Sequence, residues 1–201
     1  MKVAVPRETA AGERRVALVP DAAAGLVKSG LEVLVETGAG DGAFHADAAF
    51  EKAGARIVPD AAALHGQADV VLKVQKPSAS EAEALREGTV LVSFLQALTS
   101  PELVQRLAAR RITSFGMEGI PRISRAQKMD ALSSQANIAG YKAVLIAAES
   151  LAKFFPMFMT AAGTVFAARV LVMGAGVAGL VRSHAARLPR RGVESPGRPA
   201  D

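Results

Sequence analysis

Short β-type runs alternate regularly with helical runs from the N-terminus to Phe115, and this alternation limits the fold more than any other feature. Runs such as VVLKV and TVLVSFL are apolar nearly throughout, as expected for strands that helices cover on both faces of a sheet. A βαβα order predicts a doubly wound parallel sheet of the flavodoxin or Rossmann type. The predicted strands are Lys2–Val5, Leu31–Glu36, Arg56–Val58, Asp69–Val74, Thr89–Leu95 and Ile112–Phe115.

The segments between these strands carry recognisable helix signals. Ser80 followed by Glu83 predicts a capping box, and Ser100 followed by Pro101 supplies a cap and a proline at the first helical position. The predicted helices are Asp21–Ser29, Ala46–Ala53, Ala61–His65 and two further helices that begin at Ser80 and Ser100.

The character of the chain changes after the sixth predicted strand. A long helical run from Leu132 to about Phe155 is ended or kinked by Pro156, a loop follows around Thr160–Thr164, and Arg169–Met173 begins a second sheet. We therefore predict an N-terminal α/β domain (1–131), a connecting helix and loop (132–165), and the first βα unit of an incomplete Rossmann domain (166–201).

Composition excludes several classes of site. The chain has no cysteine, which rules out disulfides, thiolate metal sites and thiol nucleophiles, and its three histidines (His45, His65 and His184) are far apart in sequence. No apolar run reaches the ~18 residues of a membrane span, and the N-terminus lacks the long apolar run of a signal peptide. These features predict a cytoplasmic protein with neither a metal centre nor direct membrane insertion.

The basic tail accounts for most of the net charge. Of the formal charge of +5, the segment 181–201 supplies five arginines against Glu194 and Asp201, and aromatic residues are few, so no nucleic-acid partner is predicted. The helix expected after the preceding turn stops at Pro189, and no second strand is predicted. This composition is typical of translation in a shifted frame, with a natural basic tail as the alternative, and we expect the second domain to be truncated.

The string GAGVAG follows the strand RVLVM and matches the dinucleotide-binding fingerprint GxGxxG. The fingerprint alone also fits an ordinary strand–turn–helix corner, but the preceding strand favours nucleotide binding. The predicted pyrophosphate-binding residues are Gly174, Gly176, Val177 and Gly179. A second loose match, GAGDGA after LEVLVE, is interpreted as a structural turn because Asp41 would place a negative charge beside the phosphates.

Polar residues follow several predicted strands, at the sheet edge where α/β proteins bind ligands. Arg14 and Arg15 lie in a loop that either grips a carboxylate or phosphate or is simply solvated. Gln75 and Gln96 end two strands with neutral amides that cannot act as acids or bases, and Lys73 is expected to be solvated.

Three strings resemble a known family: VPRE…GERRVALVP, RISRAQKMDALSSQANIAGYKAV and FPMFMTAAGTV…RVLVMGAGVAGL. Together they resemble the NAD-binding portion (α subunit, domain I) of proton-translocating NAD(P) transhydrogenases, whose wider family includes alanine dehydrogenase. The resemblance runs from Met1 to about Leu180. It implies that a loop carrying Arg122, Gln127 and Asp130 lies over the nicotinamide end of NAD(H), with Ser133 near the cofactor.

The two glutamines decide between the relatives. In alanine dehydrogenases a lysine and a histidine stand at the positions of Gln75 and Gln96, and the arginine matching Arg15 binds the substrate carboxylate. Oxidation of an amine requires proton transfers that amides cannot supply, whereas hydride transfer between two nicotinamide rings requires none. The resemblance therefore implies transhydrogenation, although Arg15 leaves a residual carboxylate site open.

The same resemblance implies that the chain works in a complex. The hydride acceptor NADP(H) would be held by a partner domain, protons would cross through membrane subunits, and the chain would form a homodimer peripherally associated with the inner membrane. Two alternatives stay open, namely a non-catalytic truncated remnant that cannot bind NAD and an amino-acid dehydrogenase resembling alanine dehydrogenase.

Overall fold

Six parallel strands form the sheet of the first half of the chain in the computed structural model, which describes residues 1–180 and the short strand Val193–Glu194. The strand order is β3-β2-β1-β4-β5-β6, the order of the Rossmann fold, with its topological switch between β1 and β4. This sheet confirms the predicted fold class. The strands are β1 (Lys2–Val5), β2 (Glu32–Glu36), β3 (Arg56–Val58), β4 (Val70–Leu72), β5 (Val90–Ser93) and β6 (Thr113–Gly116).

Five short α-helices connect these strands. The predicted capping box is wrong in register, because Ser78 rather than Ser80 caps the helix and exchanges hydrogen bonds with Glu81 rather than Glu83. Both serine–glutamate pairs have the required spacing, and Pro77, which cannot continue a helix backwards, precedes the one that is used. The helices are α1 (Pro20–Lys28), α2 (Asp47–Lys52), α3 (Ala61–His65), α4 (Ala79–Ala84) and α5 (Pro101–Ala109).

The sheet is buried on both faces, as the continuous apolar strands predicted. Adjacent residues of one strand point into different clusters: Ala4 and Leu34 belong to one core, whereas Val5, Val33 and Val35 belong to the other. Phe50 of α2 is fully buried in the second cluster, and Leu91 of β5 is fully buried in the first. The first unit therefore has helices packed against both faces of its sheet.

Contacts between Cα atoms divide the chain into two compact units, Met1–Met129 and Asp130–Asp201. The second unit begins with α6 (Ala131–Ser150), which ends earlier than predicted because Leu151 already has an extended backbone. The loop predicted around Thr160–Thr164 is instead an antiparallel hairpin of β7 (Phe158–Thr160) and β8 (Gly163–Val165). Gly163 has a φ of +130°, a conformation that an L side chain rarely adopts, and it permits this tight turn.

The strand after the hairpin, β9 (Val170–Leu171), pairs in parallel with β10 (Val193–Glu194). The expectation that no second strand follows the glycine turn is therefore wrong. An apolar residue, Val193, lies within the polar tail and allows the unpaired edge of β9 to gain a ladder partner. The remainder of the predicted tail lies outside the described residues, as does His184. Within the described portion of the chain, no helix has the length and hydropathy needed to cross a bilayer.

Candidate functional site

The glycine-rich turn after β9 gives each of its three glycines a different environment. Gly174 has a φ of +107°, which strains any residue with a side chain and identifies it as the residue that reverses the chain. A Cβ built on Gly176 meets no atom within 4 Å, so this backbone faces open space. A Cβ on Gly179 would collide with the carbonyl oxygen of Gly174, so the turn and the following helical residues touch.

These three environments match the requirements of a pyrophosphate-binding turn. Helical structure begins at Val177, and the backbone N–H of Leu180 donates to the carbonyl oxygen of Gly176 at 3.0 Å. The backbone N–H groups at a helix start have no intrahelical acceptor and attract anions. An open Gly176 allows close approach, and a compact Gly179 brings the helix start to the turn. The residues present therefore fit the phosphates of a dinucleotide.

Asp130 and Ser133 form the N-terminal cap of α6. One oxygen of Asp130 accepts from the backbone N–H of Ser133 at 2.9 Å, and the other accepts from the Ser133 hydroxyl at 2.6 Å. Sequence reasoning assigned these residues to a cofactor site and missed the cap, although Asp before a helical run is a known cap signal. The carboxylate thus has a structural task in addition to any chemical one.

Arg122 and Gln127 lie at the end of the first unit, and both are exposed. Gln127 belongs to the short 3-10 segment Ser124–Met129, which is anchored by the buried Ala126. The structure thus brings Asp130 together with Ser133 and the glycines of the turn with one another, and it places Arg122 and Gln127 in the other compact unit.

A buried ionic cluster occupies the topological switch of the first sheet, and sequence reasoning missed it. The ammonium of Lys73 lies 2.8 Å from Glu81 and 3.4 Å from Glu8, and its side chain is only 2% exposed. The expectation that Lys73 is solvated is therefore wrong. The available signal was its position inside the apolar run VVLKV, two residues after the buried Val71, where a strand residue points to the same face.

Glu8 receives backbone donors as well as the ammonium. The N–H groups of Val74 and Gln75 donate to its two oxygens at 2.6 and 3.3 Å. Burial raises the pKa of the Glu81 carboxyl, but hydrogen bonds from Lys73 and Ser78 outweigh burial and hold that pKa below its usual value. The cluster therefore joins the loop after β1 to the end of β4 and the start of α4.

Arg15 and Gln75 meet at the carboxylate of Glu13. The guanidinium donates twice, through Nε at 2.8 Å and through a terminal nitrogen at 2.6 Å, and the Gln75 amide donates at 2.7 Å. The bond from Arg15 is the largest influence on Glu13 and, against burial, lowers its pKa to about 2. Of the two interpretations of the arginine loop, a solvated loop does not describe Arg15, which grips a carboxylate of its own chain.

The turn GAGDGA has packing reasons for two of its glycines. A Cβ on Gly40 would meet the ring of Phe50 at 2.7 Å, and one on Gly42 would meet the backbone oxygen of Arg14 at 2.8 Å. A short 3-10 helix, Asp41–Ala43, follows instead of an α-helix. The turn therefore supports the arginine loop, in agreement with its interpretation as structural.

Proton transfer is poorly served at this sheet edge. Glu13 and Glu81 are held ionised by their lowered pKa values, and Gln75 and Gln96 are neutral amides. Burial lowers the pKa of His65, which keeps its imidazole neutral, and the ring lies inside the core rather than at the edge. These groups can position polar partners, but none of them is poised to exchange a proton near neutral pH.

The Glu13–Arg15 pair predicts a pH-dependent contribution to stability. Because folding lowers the pKa of Glu13 from 4.5 to about 2, the stabilisation is complete above pH 4.5 and is lost as the pH falls through 2. Glu13→Gln should lower the unfolding free energy by about 1–2 kcal/mol at pH 7, discounted for the partly exposed Arg15, and by much less at pH 2.5. Urea unfolding at both pH values measures this, and Glu87→Gln, in an exposed ion pair, is the control. A pH-independent loss would contradict the prediction.

Comparison with protein families and known proteins agrees with these features. Residues 4–139 match the family model described as alanine dehydrogenase/PNT, N-terminal domain, and residues 143–191 match the C-terminal domain of the same family. An NAD(P) transhydrogenase subunit alpha of Rhodospirillum rubrum, the first of the pieces into which that subunit is divided, is 53% identical over 90% of this chain and 48% of its own length. The chain thus spans about half the length of this curated relative.

Two solved structures share the fold. The transhydrogenase of Sinorhizobium meliloti superposes with a TM-score of 0.91 at 45% identity, covering 97% of this chain and 58% of that one. An L-alanine dehydrogenase superposes with a TM-score of 0.80 at 28% identity, covering 93% of this chain and 52% of that one. By both measures the transhydrogenase is the more similar of these two structures.

Proposed function

The chain belongs to the alanine dehydrogenase/PNT family, and we propose that it is the NAD(H)-binding portion of an NAD(P) transhydrogenase α subunit. The observation that carries the proposal is the glycine turn, whose Gly174, Gly176 and Gly179 have the backbone conformation, the open face and the close packing that a pyrophosphate requires. The greater similarity to transhydrogenases than to the alanine dehydrogenase structure supports the choice within the family.

In this proposal the turn binds the pyrophosphate through Gly174, Gly176, Val177 and Gly179, while Ser133 contacts the cofactor. Arg122, Gln127 and Asp130 fix the nicotinamide end so that its reacting face meets the acceptor ring. Bound NAD(H) supplies the hydride, and NADP(H) on a partner domain accepts it. The ionised carboxylates and neutral amides of the first unit support this chemistry, because direct hydride transfer needs no general base.

The proposal includes the domain limits and the partners predicted from the sequence. Residues 1–131 form the N-terminal domain, 132–165 connect, and 166–201 begin the nucleotide domain. We propose that NADP-binding and membrane subunits complete the complex, and that proton translocation in those subunits couples to hydride transfer. The chain itself would lie on the cytoplasmic side, peripherally attached through its partners.

A homodimer belongs to the same proposal. Helix α6 exposes several large apolar side chains, which a second copy of the chain would bury in a symmetric interface. These side chains are Leu132, Ile138, Tyr141, Leu145 and Ile146.

The test is an NADH titration, followed by NADH fluorescence, of the chain and of two variants that separate the cap of α6 from the charge of Asp130. Asp130→Asn keeps a good cap and should leave NADH affinity within about twofold, whereas Asp130→Ala should lower the unfolding free energy by about 1 kcal/mol. With an NADP-binding partner, Asp130→Asn should slow hydride transfer by about tenfold or more.

The outcomes separate the candidate functions. Equal losses of binding and transfer in Asp130→Asn would contradict a specific role for Asp130. Absence of NADH binding by the unmodified chain would favour the non-catalytic remnant. Reduction of NAD that depends on alanine would favour an amino-acid dehydrogenase, and it is the control reaction for the Arg15 site.

A further inference from the structure

Helix α6 approaches the nucleotide turn closely at one point, and that point is a glycine. A Cβ built on Gly140 would lie 2.5 Å from the carbonyl oxygen of Ala178 and 3.1 Å from both its carbonyl carbon and its Cα. Gly140 is buried, in the middle of a helix whose neighbouring positions are mostly exposed. The contact is possible only because residue 140 has no side chain.

The atoms that this Cβ would meet belong to the backbone, so no side-chain rotation can make room for it. Carbon atoms in contact prefer separations of about 3.5–4.0 Å, and an added methyl group would therefore push the two segments apart by about 1 Å. Ala178 lies between Val177 and Gly179, inside the turn that fits a pyrophosphate. A displacement at residue 140 would thus move the anion-binding backbone directly.

The same helix begins at the Asp130–Ser133 cap. Gly140 follows the capping residue by ten positions, which at the α-helical rise corresponds to about 15 Å along the axis. An α-helix is a stiff element, so its N-terminus and its contact with Ala178 keep a fixed separation. One rigid element therefore carries the cap residues at one end and braces the turn at the other.

We propose that Gly140 is a positioning residue, which sets the register between the cap end of α6 and the pyrophosphate turn, so that a ligand spanning both is bound in one conformation. This inference rests on the proposed NAD(H) site and deepens it. Gly140 touches no reacting atom and acts only through the backbone of Ala178.

The test compares ligands of different length. Gly140→Ala should weaken NADH binding by about tenfold or more, because NADH spans both ends and a shift of about 1 Å misplaces one of them. ADP contacts the pyrophosphate turn without reaching the nicotinamide end, and its affinity should change by less than about twofold. Titrations of both ligands with the unmodified chain and the variant measure the ratio. A merely structural role would weaken both ligands equally, and that result would overturn the proposal.

Gly25 in α1 supplies the matched control, because a Cβ built there meets no atom within 4 Å. Gly25→Ala should raise the melting temperature through better helix propensity, whereas Gly140→Ala should lower it. Hydrogen exchange provides a readout without ligand: the amide of Leu180, which donates to Gly176, should exchange faster in Gly140→Ala and unchanged in Gly25→Ala. If the unmodified chain binds neither ligand, the proposed function fails, while unchanged exchange and a raised melting temperature in Gly140→Ala would refute the contact itself.

Discussion

Replacement of Lys73 by methionine is expected to lower the unfolding free energy of the chain by about 3–5 kcal/mol, because it leaves two carboxylates without their cation in a buried site. Lys73 and Glu8 have side chains only 2% and 4% exposed, so water cannot replace the lost partner. Methionine keeps most of the volume of the lysine stem, and the effect is therefore one of charge rather than of packing. Urea unfolding of the variant and the unmodified chain, followed by circular dichroism, measures the difference.

Two further variants show whether the loss arises from burial. Arg106→Met removes an ion pair with Glu83 whose side chains are 51% and 61% exposed, and it should change stability by less than about 1 kcal/mol. A triple variant, Lys73→Met with Glu8→Gln and Glu81→Gln, removes the stranded charges and should recover much of the loss. Equal effects of Lys73→Met and Arg106→Met would show that the cluster contributes no more than a surface pair.

The second large effect is expected at the nucleotide turn, where Gly179→Ala should weaken NADH binding by about a hundredfold or more. The added Cβ cannot coexist with the carbonyl oxygen of Gly174, so the helix start must move away from the turn and its N–H groups lose their common direction. The measurement is an NADH titration of the variant under conditions where the unmodified chain binds.

Gly176→Ala separates ligand contact from folding. Its Cβ meets no atom within 4 Å, so the ligand-free variant should keep its melting temperature while NADH binding falls. Gly179→Ala should lower both the melting temperature and the NADH affinity. If Gly176→Ala binds NADH as well as the unmodified chain does, the open face of this turn is not the face that the pyrophosphate approaches.

Local signals were sufficient to predict the first sheet. Strands such as β1 and β3 have the predicted limits, because apolar runs between helix signals indicate parallel strands buried on both faces. The second unit was less predictable. The hairpin β7–β8 depends on a positive φ at Gly163, and the early end of α6 depends on the extended backbone of Leu151, neither of which leaves a periodic signal in the sequence.

Residue types identified the candidate site better than their partners did. The fingerprint predicts the glycine turn by spacing alone, but the separate tasks of Gly176 and Gly179 become visible only when a Cβ is placed on each backbone. Lys73 shows the opposite case: it finds Glu8 across 65 residues of chain, and no local rule predicts a pairing of that range. Sequence reasoning works where the interaction is local and fails where the fold alone supplies the partner.

The carboxylate of Glu8 has a consequence for how the two units respond to solutes. Its oxygens accept the N–H groups of Val74 and Gln75 and face the ammonium of Lys73, which is the coordination that a Rossmann-type sheet elsewhere offers to a phosphate. An anion tethered by the chain is present at a high effective concentration and is never diluted away. The first unit is in this sense permanently liganded. Its stability should be indifferent to phosphate or nucleotide, and only the second unit can gain stability by mass action as the concentration of nucleotide rises.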